Sequence, residues 1–171
     1  MKTRVTASLR RATRDGELPV VCDASSCTEG LHVLLQAAND AAIRVIDAVE
    51  FVDQVVLPGL PEATKAKSLT VHPTCSSTRL GVNDALLRVA NASADEVAVP
   101  EDWGCCAFAG DRGMLHPELT ASATDREATE VKTAATTDYA SINRTCELGM
   151  TRATGQPYRH ILEILDEATT R

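Results

Sequence analysis

Short runs of β-branched and aliphatic residues alternate with longer stretches of helical periodicity along this chain, and that alternation restricts the fold more than any single motif does. LPVVCDA (residues 18–24) reads as a buried strand, followed by a helix with Leu31, Leu34, Leu35 and Ala38 on one face. AIRVIDAVEFVDQVVL starts as a second strand and continues as a helix that stops at Pro58. The next stretch, PGLPEATKAKS (residues 58–68), carries two prolines and a glycine and reads as a linker between two lobes. Beyond it come a strand at LTVH, a helix over residues 76–91, a strand at EVAVP, a helix opened by Pro117 and a strand at YASIN. A short helix after Cys146 and a last helix opened by Pro157 complete the chain, with Tyr158, Ile161, Leu162, Leu165 and Ala168 as its apolar stripe. The opening MKTRVTASLRRATRDG reads as a short surface helix with Val5 and Leu9 on one side. Strand and helix in regular turn predict an α/β fold, a mostly parallel sheet with flanking helices.

A chain of 171 residues with 44% hydrophobic and 24% charged residues can bury a core, but aromatics at 3% leave that core to Ala, Val, Leu and Ile. The net charge of −7 excludes a general nucleic-acid surface, which needs accumulated Lys and Arg. No apolar run approaches the roughly 20 residues of a membrane helix, and the N-terminal stretch lacks the apolar segment of a secretory signal. The expectation is therefore a cytoplasmic protein that does not span a membrane, with peripheral association at the inner membrane as a variant. In reducing cytosol the six cysteines are better suited to metal or redox chemistry than to structural disulfides.

Functional loops of parallel sheets gather at the carboxyl ends of the strands, and the cysteines fall there. Cys27 lies just past the first strand, Cys75 past VH, Cys105 and Cys106 past VAVP, and Cys146 past SIN. Cys22 sits inside a strand and reads as a small buried hydrophobe. A bridge between neighbours Cys105 and Cys106 would need a strained peptide, so the pair is better explained as thiolate ligands. Thiolates select zinc or iron–sulfur, and four of them complete a tetrahedral zinc site or the usual ligation of a four-iron cluster. SSCTEGL (residues 25–31) and RTCELGM (residues 144–150) also echo each other, each with a cysteine three residues before a glycine.

VHPTCSSTRLG, WGCCAFAGDRG and INRTCELGM together resemble the cysteine-rich CCG domain at the C-terminus of FAD-linked D-lactate and related 2-hydroxyacid dehydrogenases, and more distantly the B subunit of heterodisulfide reductase. The resemblance runs from about Leu18 to the end of the chain. Its cysteine pattern occurs twice in the family, and the second set maps onto Cys75, Cys105, Cys106 and Cys146. The first set is represented by Cys27 alone. Residues 1–60 are thereby expected to be a remnant of a first lobe, and residues 61–171 a complete second lobe. Two departures stand out: Ala107 replaces the glycine after the cysteine pair, and Gly149 stands where many relatives have a further cysteine.

The resemblance implies an iron–sulfur electron-transfer module with a 4Fe-4S cluster, zinc being the alternative. FAD is expected only on a missing portion or a partner chain, because FAGDRG lacks the dinucleotide-binding spacing. The implied partners are an FAD-binding dehydrogenase domain or subunit and an electron acceptor, a protein or quinone; no catalysis is expected of this chain alone. Backbone N–H groups of Gly104, Ala107 and Gly110 are candidates to tune a cluster, and Trp103 could shield it. An exposed apolar face is expected near Cys27. Cys27 reads as a candidate additional ligand, and His72 either as another or as a residue closing a strand end. His116 reads as surface, Asp111 and Arg112 as a solvated loop pair, and nothing is assigned to His32 or His160. A zinc-stabilised docking module and a thiol-redox protein are the other two classes; against the last, the sequence brings no histidine and acid beside the paired cysteines.

Overall fold

Parallel strands cannot be joined by a tight turn, so each pairing in this chain requires a crossover, and helices supply it. The computed structural model describes residues 2–61 and 64–170. Helix α1 (Lys2–Ala12) precedes a small unit of β1 (Val20–Cys22), α2 (Ser25–Ala37), β2 (Val45–Asp47) and α3 (Ala48–Phe51), the last continuing through a π turn and a 3₁₀ turn to Gly59. The larger unit follows: β3 (Ala66–Val71), α4 (Cys75–Leu80), α5 (Asn83–Ser93), β4 (Ala94–Ala98), α6 (Arg112–Leu115), α7 (Pro117–Ala134), β5 (Asp138–Ser141), α8 (Arg144–Thr154), β6 (Tyr158–His160) and α9 (Ile161–Thr170). β1 pairs with β2, and a four-stranded sheet has the order β4-β3-β5-β6, every pairing parallel. The α/β architecture is as expected.

The order β4-β3-β5-β6 reverses direction between β3 and β5. At such a switch point the loops leaving two neighbouring strands diverge to opposite faces and open a crevice at their carboxyl ends. His72 follows β3 there, and residues 142–146 follow β5. The main core lies along the sheet, where Leu69 and Val71 of β3 meet Ala140 of β5, Leu86 and Val89 of α5, and Ile161 and Leu165 of α9. A smaller cluster holds the first unit, with Leu35, Ile43 and Val45 buried and Leu9 of α1 packed on them.

Several elements differ from the sequence reading. β1 is three residues long and not buried, for Val21 is exposed, as are Leu18 and Val33 on the same unit. β3 begins at Ala66, inside the expected linker, and Leu60 packs on the main core; residues 62 and 63 lie outside the described residues. The helix expected over residues 76–91 is two helices, because Gly81 takes a left-handed φ of +73° that ends α4. Tyr158, expected in the apolar stripe of a last helix opened by Pro157, belongs to β6, where its backbone pairs with Tyr139 and its ring lies 5.5 Å from that of Tyr139. α9 starts only at Ile161 and keeps the rest of the stripe.

The two units are joined by buried hydroxyls. Asn143, the N-cap of α8, makes no side-chain bond to its own helix. Its amide instead donates to Ser25 Oγ and Ser76 Oγ, and its carbonyl oxygen accepts from the backbone and hydroxyl of Ser26. Ser25 Oγ lies 2.8 Å from Ser76 Oγ and 3.1 Å from Thr74 Oγ1. The amino-terminal ends of α2, α4 and α8 thus meet at one place.

Candidate metal centre

Cys75 is the first residue of α4, and Cys146 the third of α8. Both sit within the first turn, where unpaired backbone N–H groups and the helix dipole favour negative charge. Thr74 and Ser77 close a reciprocal capping box at the start of α4, fixing the turn that presents Cys75. The third approach is the loop after β4. Its Ala107 and Ala109 have left-handed φ of +51° and +44°, followed by Gly110 at +70°. Such backbone costs an alanine about 1–2 kcal/mol. At Ala107 this is the physical reason a glycine suits the position in the resembled pattern. The turn directs the Ala107 N–H to Cys105 Sγ at 3.4 Å and the Phe108 N–H toward Cys106.

Phe108 fixes the loop against the scaffold. It is fully buried, packs with Cys106 and Cys146, and carries the Arg152 guanidinium over its ring at 5.4 Å. Gly113 and Gly149 make room for that ring. A Cβ at Gly113 would come within 2.6 Å of it, and one at Gly149 within 3.3 Å of the ring and 3.6 Å of Cys106 Cβ. Position 149 therefore abuts Cys106.

Cys106 and Cys146 are buried with their sulfurs 2.9 Å apart in a hydrogen bond. His72 is fully buried beside them, and the ligand atoms of His72, Cys106 and Cys146 all lie within 4.8 Å of one another. These three residues form a group able to hold a metal ion. Nδ1 of His72 is 2.6 Å from the buried carboxylate of Glu127 on α7, and its Nε2 has no hydrogen-bond partner. The hydrogen bond from Cys146 pulls the Cys106 thiol down to about 5, with His72 acting in the same direction. Cys146 moves the opposite way, held up by Cys106 and by burial. Burial alone would lower the pKa of His72, but Cys106 and Glu127 outweigh it and raise it to about 9.

Cys105 is exposed, and Cys75 half-buried. Partial burial pushes the Cys105 thiol up, opposed by the Ala107 N–H and reinforced by Cys75 and Cys106; Cys75 and Cys105 also act on Cys146. Of the four cysteines of the expected set, Cys106 and Cys146 are buried together, Cys75 is half-buried and Cys105 is exposed. Cys27, the third residue of α2, is exposed and acts on half-buried Cys22. His72, readable from the sequence either as an additional ligand or as a strand end, stands in the buried group with Cys106 and Cys146. Of the three backbone donors expected, Ala107 reaches a sulfur, whereas Gly104 and Gly110 make no such bond among the described residues.

Glu127 and Phe108 escaped the sequence reading. A signal for Glu127 was present: it falls on the buried face of α7 with Thr120, Thr124, Ala128 and Val131, a position where an acid needs a partner. Together with His72 it also places a histidine and an acid beside Cys106, which the linear order had hidden. His116 is exposed and paired with Glu118, Asp111 and Arg112 are exposed, and Trp103 is half-buried. Among the described residues no helix is long and apolar enough to cross a membrane. Compared with protein-family models and with curated proteins, the chain matches none.

Proposed function

We propose that this chain is the iron–sulfur electron-transfer module of an FAD-linked 2-hydroxyacid dehydrogenase of the D-lactate type, with Cys75, Cys105, Cys106 and Cys146 as ligands. The observation that carries the reading is the buried group of His72, Cys106 and Cys146 at the switch point of a parallel sheet, with Cys75 at the start of α4 and Cys105 next to Cys106 in the loop. A cluster so held stores and passes single electrons, its potential set by burial and by hydrogen bonds to its sulfurs. The chain's own contribution is to hold thiolates at two helix starts, to keep water from Cys106 and Cys146 with Phe108, and to direct the N–H groups of Ala107 and Phe108 at the cysteine pair. Flavin and hydroxy acid belong to a partner domain or subunit, and the acceptor to a protein or quinone.

A zinc-stabilised docking module is the second reading, favoured by one observation: the ligand atoms of His72, Cys106 and Cys146 all lie within 4.8 Å of one another, as donors to a single ion do. Two thiolates on one tetrahedral zinc lie about 3.8 Å apart for Zn–S of about 2.3 Å, so the 2.9 Å between Cys106 and Cys146 would widen on binding. Anaerobic purification with and without iron–sulfide reconstitution separates the two, with iron, sulfide and zinc counted per chain on wild type and Cys106→Ser. Iron and sulfide near four per chain, lost in the variant, are the expected outcome. One zinc without sulfide selects the second reading, and no metal in either preparation overturns both.

A further inference from the structure

A histidine with no solvent exposure, one nitrogen on a buried carboxylate and the other facing two thiols is an expensive arrangement unless both nitrogens are used. Nδ1 of His72 is committed to Glu127 Oε1 at 2.6 Å, and the two side chains are 0% and 2% exposed. Nε2 is left without a protein partner. Two neighbouring sulfurs, Cys106 and Cys146, lie within 4.8 Å of the ring's ligand atom, close enough for all three donors to share one ion. Both side chains are anchored by backbone that has little freedom. The His72 N–H donates to the Ala140 carbonyl and its own carbonyl accepts from Ser141 Oγ, so the residue is clamped to β5 on the sheet side. Glu127 is held on the buried face of an 18-residue helix.

We propose that His72 is itself a metal ligand of this centre, bound through Nε2 beside Cys106 and Cys146, and that Glu127 is the positioning residue that makes it one. This inference rests on the reading that the cysteine group binds metal. Accepting the Nδ1 proton fixes the tautomer in which Nε2 carries the lone pair, and it orients the ring and raises its basicity as a donor. The centre is then of mixed imidazole and thiolate ligation. Cys105 is exposed and lies outside the buried group.

The test uses the full chain, reduced and loaded anaerobically with Co²⁺ or Zn²⁺ alone. In Zn²⁺-loaded protein labelled with ¹⁵N-histidine, the His72 Nε2 resonance, identified by its loss in His72→Gln, is expected at a metal-bound shift while Nδ1 keeps its proton. Co²⁺ titrations are expected to show Glu127→Ala binding about 10–100-fold more weakly than wild type, with unchanged sulfur-to-cobalt charge-transfer intensity. Glu127→Gln, whose amide oxygen still accepts the Nδ1 proton, should recover most of that loss. If metal binds and both His72 nitrogens keep their metal-free shifts, or if Glu127→Ala binds as tightly as wild type, His72 is outside the coordination sphere and the inference fails while the metal reading stands. Failure of folded, reduced wild type to bind either ion overturns both. The ¹⁵N experiment on wild type decides the matter even if Glu127→Ala does not fold.

Discussion

The units of residues 20–51 and 138–170 are built alike, a strand, a helix, a parallel neighbouring strand and a second helix, and each carries a cysteine as the third residue of its first helix. Their cysteines nevertheless have opposite fates. Cys146 is buried against Cys106 and Phe108, whereas Cys27 is exposed. The difference lies in what stands beside the unit. β5 is flanked by β3, which delivers His72, with β4 and its loop beyond, but β1 has only β2. A strand-end cysteine becomes a site when neighbouring strands bring it company; the local motif does not suffice.

The largest test of that contrast is Phe108→Ala. Removing a fully buried ring from between two close-packed glycines should cost about 3–5 kcal/mol in urea unfolding, and should open Cys106 to labelling. Leu35→Ala in the small cluster is expected near the low end, about 2 kcal/mol, because only Ile43 and Val45 are buried with it and the hydrophobics packed around them are partly exposed. Equal costs would mean that the two units share one core. Asn143→Ala comes next, at about 1–3 kcal/mol, since it strips partners from buried Ser25 and Ser76. Hydrogen exchange in the variant should show β1 and β2 losing protection before β3 and β5; uniform loss would show that the polar bridge does not couple the units.

The pH dependence of the metal-free protein sharpens the contrast further. Cys106 has a folded pKa near 5, below its unfolded value, so its stabilising contribution is lost as pH falls through about 5. His72 has a folded pKa near 9, so its contribution is complete below about 6.5 and is lost as pH rises through about 9. Their sum makes stability rise from about pH 5 to about 6.5 and then stay level to about 9, as one gain offsets the other. This is read in chelator as the difference between wild type and a Cys106→Ser, His72→Gln double variant. Cys27→Ser should leave the profile unchanged, and a rise that disappears in it would move the coupling to the wrong unit.

Thiol labelling is gentler. Cys27 and Cys105 should react at least about tenfold faster than Cys106 and Cys146 under native conditions, because buried thiols wait for local opening. Smallest is Arg79→Ala, which removes a bidentate pair with Glu29 between α4 and α2. Arg79 is 57% exposed on its side chain, and the loss should stay below about 1 kcal/mol.

Much of this was legible in the chain. Apolar runs and helical stripes gave the alternation, and the place of each cysteine past a strand gave the gathering at the carboxyl ends. Tyr158 misled because its place at helical spacing from Ile161 and Leu162, just after Pro157, concealed a three-residue strand, too short for periodicity to reveal. Val21 misled because burial of a strand depends on neighbours that a local run does not name. His72 and Glu127 stand 55 positions apart in the chain, and no local pattern joins them; only the packing of α7 over the end of β3 does so.

The buried sulfurs and Phe108 form a cluster of their own, apart from the main hydrophobic core on the sheet. The packing along the sheet is therefore made by aliphatic side chains separate from the cysteine group, and metal-free protein is expected to keep hydrogen-exchange protection in β3 and β5.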